Sequence, residues 1–343
     1  MADPIPVIVC IDVEPDERET TPGCLRPWAG YRGLHERLEA LRGDLPGLGV
    51  SAHFTWFLRM DPQIADTYGT PGWVATAYRA ELQVALARGD ALGLHVHPFR
   101  RGAGASGWIA DFADQGWVDH CVDVGMTAFQ EAWGWGCVDF RFGDGWMNDA
   151  TRARLEERGI RHDLTLEPGK YLPRGLRPGA AWIGQAPDLR SMPREPYRPS
   201  AGDFRRPDPA RAGGFWMVPV TTGRLRSSLA LLRRLYRGIL RPGWITPETL
   251  VLNPALSPPL FRDLLEQALG SAASRLLVLA VRSDAGLRRR QLGNVSRNLE
   301  LLGRASRAAG LGLCTPAEAL AALGLESASS RAGGSLGDGQ PAR

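Results

Sequence analysis

Lysine is nearly absent from this chain: of its 41 basic residues only Lys170 is lysine, and the rest are arginine. With 37 acids set against them the net charge is only +4. The arginines therefore describe a compositional habit, not a nucleic-acid footprint. Cysteine is sparse as well. Cys10, Cys24, Cys121, Cys137 and Cys314 are odd in number and scattered, and no Cys-x-x-Cys pair occurs. That argues against both a disulfide scaffold and a zinc knuckle, and it fits a reducing compartment. No apolar run reaches the length of a membrane span. No basic segment precedes the short apolar run near the start, as a secretory signal would require. The expectation is a soluble, cytoplasmic protein. Histidine numbers six and stops at His162. No repeat of fixed period occurs.

What is present is an alternation. Hydrophobic residues make up 44% of the 343, enough for a sizeable core. Short apolar runs at 6–11, 49–58, 91–96, 137–142, 159–164, 215–220, 249–254, 275–281 and 312–314 read as strands. Helical patterns lie between most of them, including 73–88, 119–133, 148–158, 259–269 and 294–309. A last helix opens at Thr315 or Pro316. Such an alternation predicts a parallel βα architecture with its site at the C-terminal edge of the strands. A single distorted (β/α) barrel of about seven parallel strands over residues 1–325 is the first expectation. A doubly wound open sheet is the second, although no phosphate-binding glycine fingerprint follows any strand. Residues 167–214 are rich in Pro, Gly and Arg and read as an elaborated loop region. Residues 326–343 read as a disordered tail.

Two strand ends carry chemistry. Asp12-Val13-Glu14 follows the first apolar run, and His95-Val96-His97-Pro98 ends the third. Alternate strand residues share a face, so each pair points one way with Cα atoms about 7 Å apart. A carboxylate with two imidazoles is a familiar open set of ligands for one divalent ion, zinc above all. The blander reading is a carboxylate capping a strand and two inert, half-buried histidines. His35 reads as a surface residue and His120 as a helix-start residue. The arginine-rich stretch 224–241 reads as a basic amphipathic helix, with Leu225, Leu229, Leu232, Tyr236 and Ile239 on one stripe. It suits either an outer barrel helix or peripheral contact with an anionic membrane.

In this order, with Phe140-Arg141 at a fourth strand end, the motifs resemble the polysaccharide deacetylase family. The resemblance spans about residues 5–323 and includes Asn298-Leu299-Glu300 and Thr315-Pro316-Ala317-Glu318-Ala319. It implies a distorted (β/α) barrel with one divalent ion, usually zinc or cobalt, and removal of acetyl groups from sugars. Carried over position by position, Asp12 takes the place of the general base and Arg141 of the arginine that holds it. Glu14, His95 and His97 take the metal positions, and Asp163 matches a further acid downstream. Gly143 and Asp144 join them as substrate-binding candidates, with backbone N–H groups around Gly143 to Gly145 stabilising an oxyanion. Trp146, like Trp108 and Trp216, offers a flat face for a sugar.

The chain departs from the family pattern in three places. One residue instead of three separates the histidines, Phe-Gly-Asp follows Arg141, and no histidine stands in the C-terminal half to serve as the usual general acid. Asn253-Pro254 falls roughly where it would be expected. The implied activity is metal-dependent removal of an acyl group from a sugar or glycan precursor. A catalytically silent carbohydrate-binding protein and a metal amidohydrolase acting on a non-sugar amide remain the alternatives.

Overall fold

Period-two alternation along the first strand sets the architecture. In this computed structural model, residues 5–21, 23–42, 52–102, 107–171, 182–240, 248–271 and 274–326 are described. The strands in chain order are β1 (Ile5–Val13), β2 (Thr55–Arg59), β3 (Ala91–Val96), β4 (Phe99–Arg101), β5 (Trp108–Asp111), β6 (Asp139–Phe142) and β7 (His162–Asp163). They continue with β8 (Trp182–Ile183), β9 (Trp216–Met217), β10 (Thr222–Arg224), β11 (Thr249–Val251), β12 (Leu277–Arg282) and β13 (Leu311–Leu313). The main sheet runs β12-β1-β2-β3-β6-β7-β9, with β13 also on β1. Every pair in it is parallel. The chain after β9 then reaches back to β12, where Thr221 N–H donates to the Val278 carbonyl at 2.9 Å. The sheet is thereby curled into the distorted (β/α) barrel expected of the sequence.

Each strand divides its residues between two cores. Val7, Val9, Ile11 and Val13 pack outward among the helices, with Leu92, Leu94, Phe140, Leu277 and Leu279. Ile8, Cys10, Phe57, Leu164, Trp216, Val278 and Ala280 fill the barrel interior. Both faces are buried, which is why the strands read as continuous apolar runs. The C-terminal helix Pro316–Ala322 plugs the N-terminal end of the barrel with Ala319 and Leu320. Its cap is Thr315, whose Oγ1 accepts from Glu318 N at 3.3 Å while Glu318 accepts from Thr315 N at 2.9 Å. That is a reciprocal capping box.

Several expectations need correction. The helix expected over 73–88 is two, Trp73–Ala77 and Arg79–Ala87, broken at Tyr78. The Tyr78 hydroxyl accepts from Trp28 N at 2.6 Å, and that bond and the ring's burial override local helix propensity. His35 is buried, with its ring 5.4 Å from that of Trp56. Residues 249–251 form no barrel strand. β11 pairs antiparallel with β10 in a separate two-stranded sheet. The arginine-rich helix spans Ser227–Leu240. Arg224 lies on β10, and Arg241 lies outside the described residues. In the 167–214 region β8 pairs with β5, and Tyr197 bridges to Met217. Residues 172–181 of that region and 327–343 of the expected tail lie outside the described residues.

At the N-terminal end of the barrel, His162 Nδ1 lies 2.6 Å from Asp139 Oδ1, and Nε2 lies 3.2 Å from Glu326 Oε2. Burial alone would depress this imidazole, but the two carboxylates outweigh it and lift the pKa from 6.5 to about 9. A pKa raised in the folded state stabilises the fold while the imidazolium persists. The contribution is full below about pH 6.5 and is lost as pH rises through about 9. Urea titrations across this window should show the wild type losing roughly 2–3 kcal/mol that His162→Asn never had. Parallel losses in both proteins would exclude the ion-paired histidine.

Candidate metal centre and its cleft

The interior register of each strand runs on past the apolar layer into a charged one. After Ile8 and Cys10 the next inward positions are Asp12 and Glu14. Asp12 pairs in register with Arg282 on one side and Phe57 on the other. On β3 the inward series is Gly93, His95 and His97. His95 pairs in register with Arg59 and Arg141. Parity thus delivers Asp12, Glu14, Arg59, His95, His97, Arg141 and Arg282 to one end of the barrel. There they meet a cleft of about 380 Å³, which all of them line except the fully buried Arg59.

Glu14, His95 and His97 are buried, and one ligand atom from each falls within 4.8 Å of the others. The two Nε2 atoms are 3.0 Å apart. Glu14 Oε1 is 3.4 Å from His95 Nε2, and Oε2 is 3.3 Å from His97 Nε2. His95 Nδ1 lies 2.7 Å from the Arg141 carbonyl, which can only accept, so the proton sits on Nδ1. His95 Nε2 is left with its lone pair aimed at His97 Nε2. Burial first, and the Arg59 charge second, hold His97 well below the ordinary imidazole pKa. His97 Nδ1 lies 3.4 Å from Asp144 Oδ2 and has no hydrogen-bond partner among the described residues. With the His97 proton on Nδ1, two Nε2 lone pairs and the Glu14 carboxylate form a donor set that suits a cation. Separations of 3.0 to 3.4 Å match the edges of a tetrahedral face around a zinc-sized ion, about 3.3 Å for bonds of about 2.0 Å. The residues present therefore fit a divalent ion.

The surroundings hold these groups in place. Glu14 N–H donates to Ser283 Oγ at 3.0 Å, and that hydroxyl donates to the Glu14 carbonyl at 3.0 Å. Burial would raise the Glu14 pKa, but Arg282, then His97 and His95, outweigh it and keep the carboxyl well below the usual range. Arg59 lies 3.3 Å from Glu14 but is engaged by Asp61 at 2.8 Å, and Asp61 also accepts from His97 N at 3.1 Å. The His97 ring stacks on Phe99 at 5.5 Å. Gly143 is obligatory on its other side: a Cβ there would stand 2.2 Å from His97 Cε1.

Beside the ligand set, Arg141 Nε donates to Asp12 Oδ1 at 2.8 Å, and its Nη1 donates to the Leu164 carbonyl at 2.5 Å. Glu167 stands 3.8 Å from Arg141 Nη2 and pairs with Lys170. Burial would raise the Glu167 pKa, but Lys170 and Arg141 lower it. Arg59, Glu167, Lys170, Trp182 and Arg282 are site residues that sequence reasoning missed. For Arg59 and Arg282 the signal was there, since each continues an inward series, Phe57 to Arg59 and Ala280 to Arg282.

Of the substrate-binding candidates Asp144 lines the cleft, in a left-handed conformation at φ 62° and with Gly145 beside it, whereas Gly143 is buried against His97 and does not line it. Trp146, Trp108 and Trp216 are buried and turned away from it. Trp146 packs 5.0 Å from Phe112 and donates to the Gln185 carbonyl at 3.1 Å. The aromatic side chains that do line the cleft are Phe99, Phe142 and Trp182. Asp163 fails by parity. It pairs in register with outward-facing Phe140 and Met217, and its carboxylate accepts from Thr165 N and Oγ1 at 3.1 and 2.8 Å. Burial raises its pKa to about 7.

No family model matches the chain, and no curated protein does. Solved structures do. One described as a glycoside hydrolase/deacetylase from Parabacteroides distasonis aligns over 90% of this chain and 69% of its own, at 9% identity and a TM-score of 0.51. The chain has that fold. A polysaccharide deacetylase structure from Mycobacterium smegmatis aligns over 92% of this chain and 96% of its own, at 16% identity and TM-score 0.44. A peptidoglycan deacetylase from Bacillus subtilis aligns over 94% and 92%, at 10% identity and TM-score 0.41. Among the described residues no helix is long and apolar enough to cross a membrane.

Because Asp163 faces the helices, Asp163→Asn should leave kcat within about two-fold of wild type on any substrate turned over. Gly143→Ala should cost about 1–3 kcal/mol in stability and displace His97. Steady-state kinetics and thermal melts check both, and a large kcat loss in Asp163→Asn would contradict the parity assignment.

Proposed function

We propose that this chain is a metal-dependent hydrolase that removes an acyl group, N-acetyl foremost, from a sugar or glycan precursor. The observation that carries the reading is the buried cluster of Glu14, His95 and His97, in the same cleft as the Asp12–Arg141 ion pair. A solved structure that shares the fold is described as a glycoside hydrolase/deacetylase, which supports the reading. A silent binding protein would have no need of a buried carboxylate–guanidinium pair in its cleft, since such a pair carries a desolvation penalty.

Glu14, His95 and His97 would hold the ion. When bound, it supplies polarisation of the acyl carbonyl and brings the pKa of a water toward about 7. Asp12 takes the proton of the attacking water, and Arg141 keeps Asp12 correctly turned. Asp144 and Gly145 line the cleft, and their backbone N–H groups would serve as donors for the developing oxyanion. Trp182 and Phe99 offer apolar faces to the sugar ring. The amide nitrogen must leave with a proton, and no histidine follows His162. Lys170 lines the cleft, and its ammonium, unlike a guanidinium, can release a proton. We assign it as the donor to the leaving amine.

Asp12→Asn should keep its metal and lose about 10²- to 10⁴-fold in kcat, read as acetate released from acetylated amino sugars. Full activity in that variant would remove Asp12 from the mechanism. Lys170→Met should lower kcat by about 10²-fold without metal loss, and Lys170→Arg should not restore it. Rescue by arginine would reduce Lys170 to a positioning charge.

A further inference from the structure

The apolar surface of this protein is concentrated in one place. Among the described residues eleven large hydrophobic side chains are exposed, and six of them, Leu231, Leu232, Leu235, Tyr236, Ile239 and Leu240, lie on the helix Ser227–Leu240. Their exposures run from 57% to 79%. At about 100° per residue they occupy one half of the helix circumference. Arg233, Arg234 and Arg237 fall on the opposite half of the same wheel, and the sequence holds no acid from Thr221 through Arg241. Arg224 and Arg226 are engaged elsewhere, by Glu248, Asp263 and Glu266. The helix meets the body of the protein through its first turns, where Leu225 is buried and Leu229 and Ala230 pack against the core.

We propose that the helix Ser227–Leu240 is a membrane-docking element that lies in the headgroup region of an anionic lipid surface, its apolar half buried there and the positive charge of this acid-free stretch drawing it to the surface. The chemistry asks for an occupant that offers an apolar phase and negative charge together along a helix more than three turns long. An anionic bilayer surface supplies both without shape complementarity. A second copy of the chain would bring the same run of arginines alongside the first, and like charges oppose that pairing. The helix connects β10 to β11, and Thr249, Leu250 and Val251 of β11 line the cleft.

Flotation of the full-length protein with vesicles decides the matter. Wild type should float with phosphatidylcholine vesicles containing about one-third phosphatidylglycerol, and at least ten-fold more weakly with phosphatidylcholine alone. Raising the salt to about 0.5 M should weaken the anionic binding. Leu235→Glu/Ile239→Glu should abolish flotation while leaving the melting temperature unchanged, since both side chains are exposed. Failure of the wild type to float, or flotation of the double variant at wild-type level, overturns the proposal. So does a concentration-dependent dimer in sedimentation velocity that the same substitutions dissolve, because the face would then be a self-interface.

Discussion

Everything in the site depends on strand parity. A β-strand shows alternate residues to alternate faces, and a one-residue slip exchanges the faces entirely. In this barrel the inward face is apolar at the N-terminal end, with Ile8, Cys10, Val278 and Ala280. It becomes ionic two residues further on, at Asp12, Arg59, His95, Arg141 and Arg282. No loop has to be positioned for these groups to converge. The rigid sheet does it, and the register pairs of β1, β2, β3, β6 and β12 fix the layer to which each belongs.

Such a concentration of buried charge is stable only because it is internally matched. Asp12 has Arg141, Arg59 has Asp61, and Arg282 has Glu14 at 3.4 Å and Asp284 at 3.5 Å. The meeting point of two imidazole nitrogens and a carboxylate is where a cation would fit. With both nitrogens unprotonated they are opposed acceptors, which are costly in a low-dielectric interior.

Much of this could be read from the sequence, because both the strands and their charged ends repeat at period two. Asp12 with Glu14, and His95 with His97, announce themselves by spacing alone. Asp163 shows the limit of the same logic. Only pairing identifies which face of a two-residue strand looks inward, and His162 with Leu164, not Asp163, takes the interior. Trp146 misled for a different reason, since a buried indole and a sugar platform have the same sequence signature. Lys170 and Glu167 were hidden in a stretch without periodicity, where tertiary contacts alone bring them to the cleft. Residues 249–251 read as part of the barrel because a three-residue apolar strand carries no mark of its partner, here β10.

The account stands or falls on the cation. Elemental mass spectrometry on the purified protein, dialysed against excess zinc and then against buffer, should find about one ion per chain. His95→Ala/His97→Ala should retain none while keeping its fold by circular dichroism. A wild-type protein that binds no divalent ion under these conditions would contradict the metal centre, and with it the hydrolase.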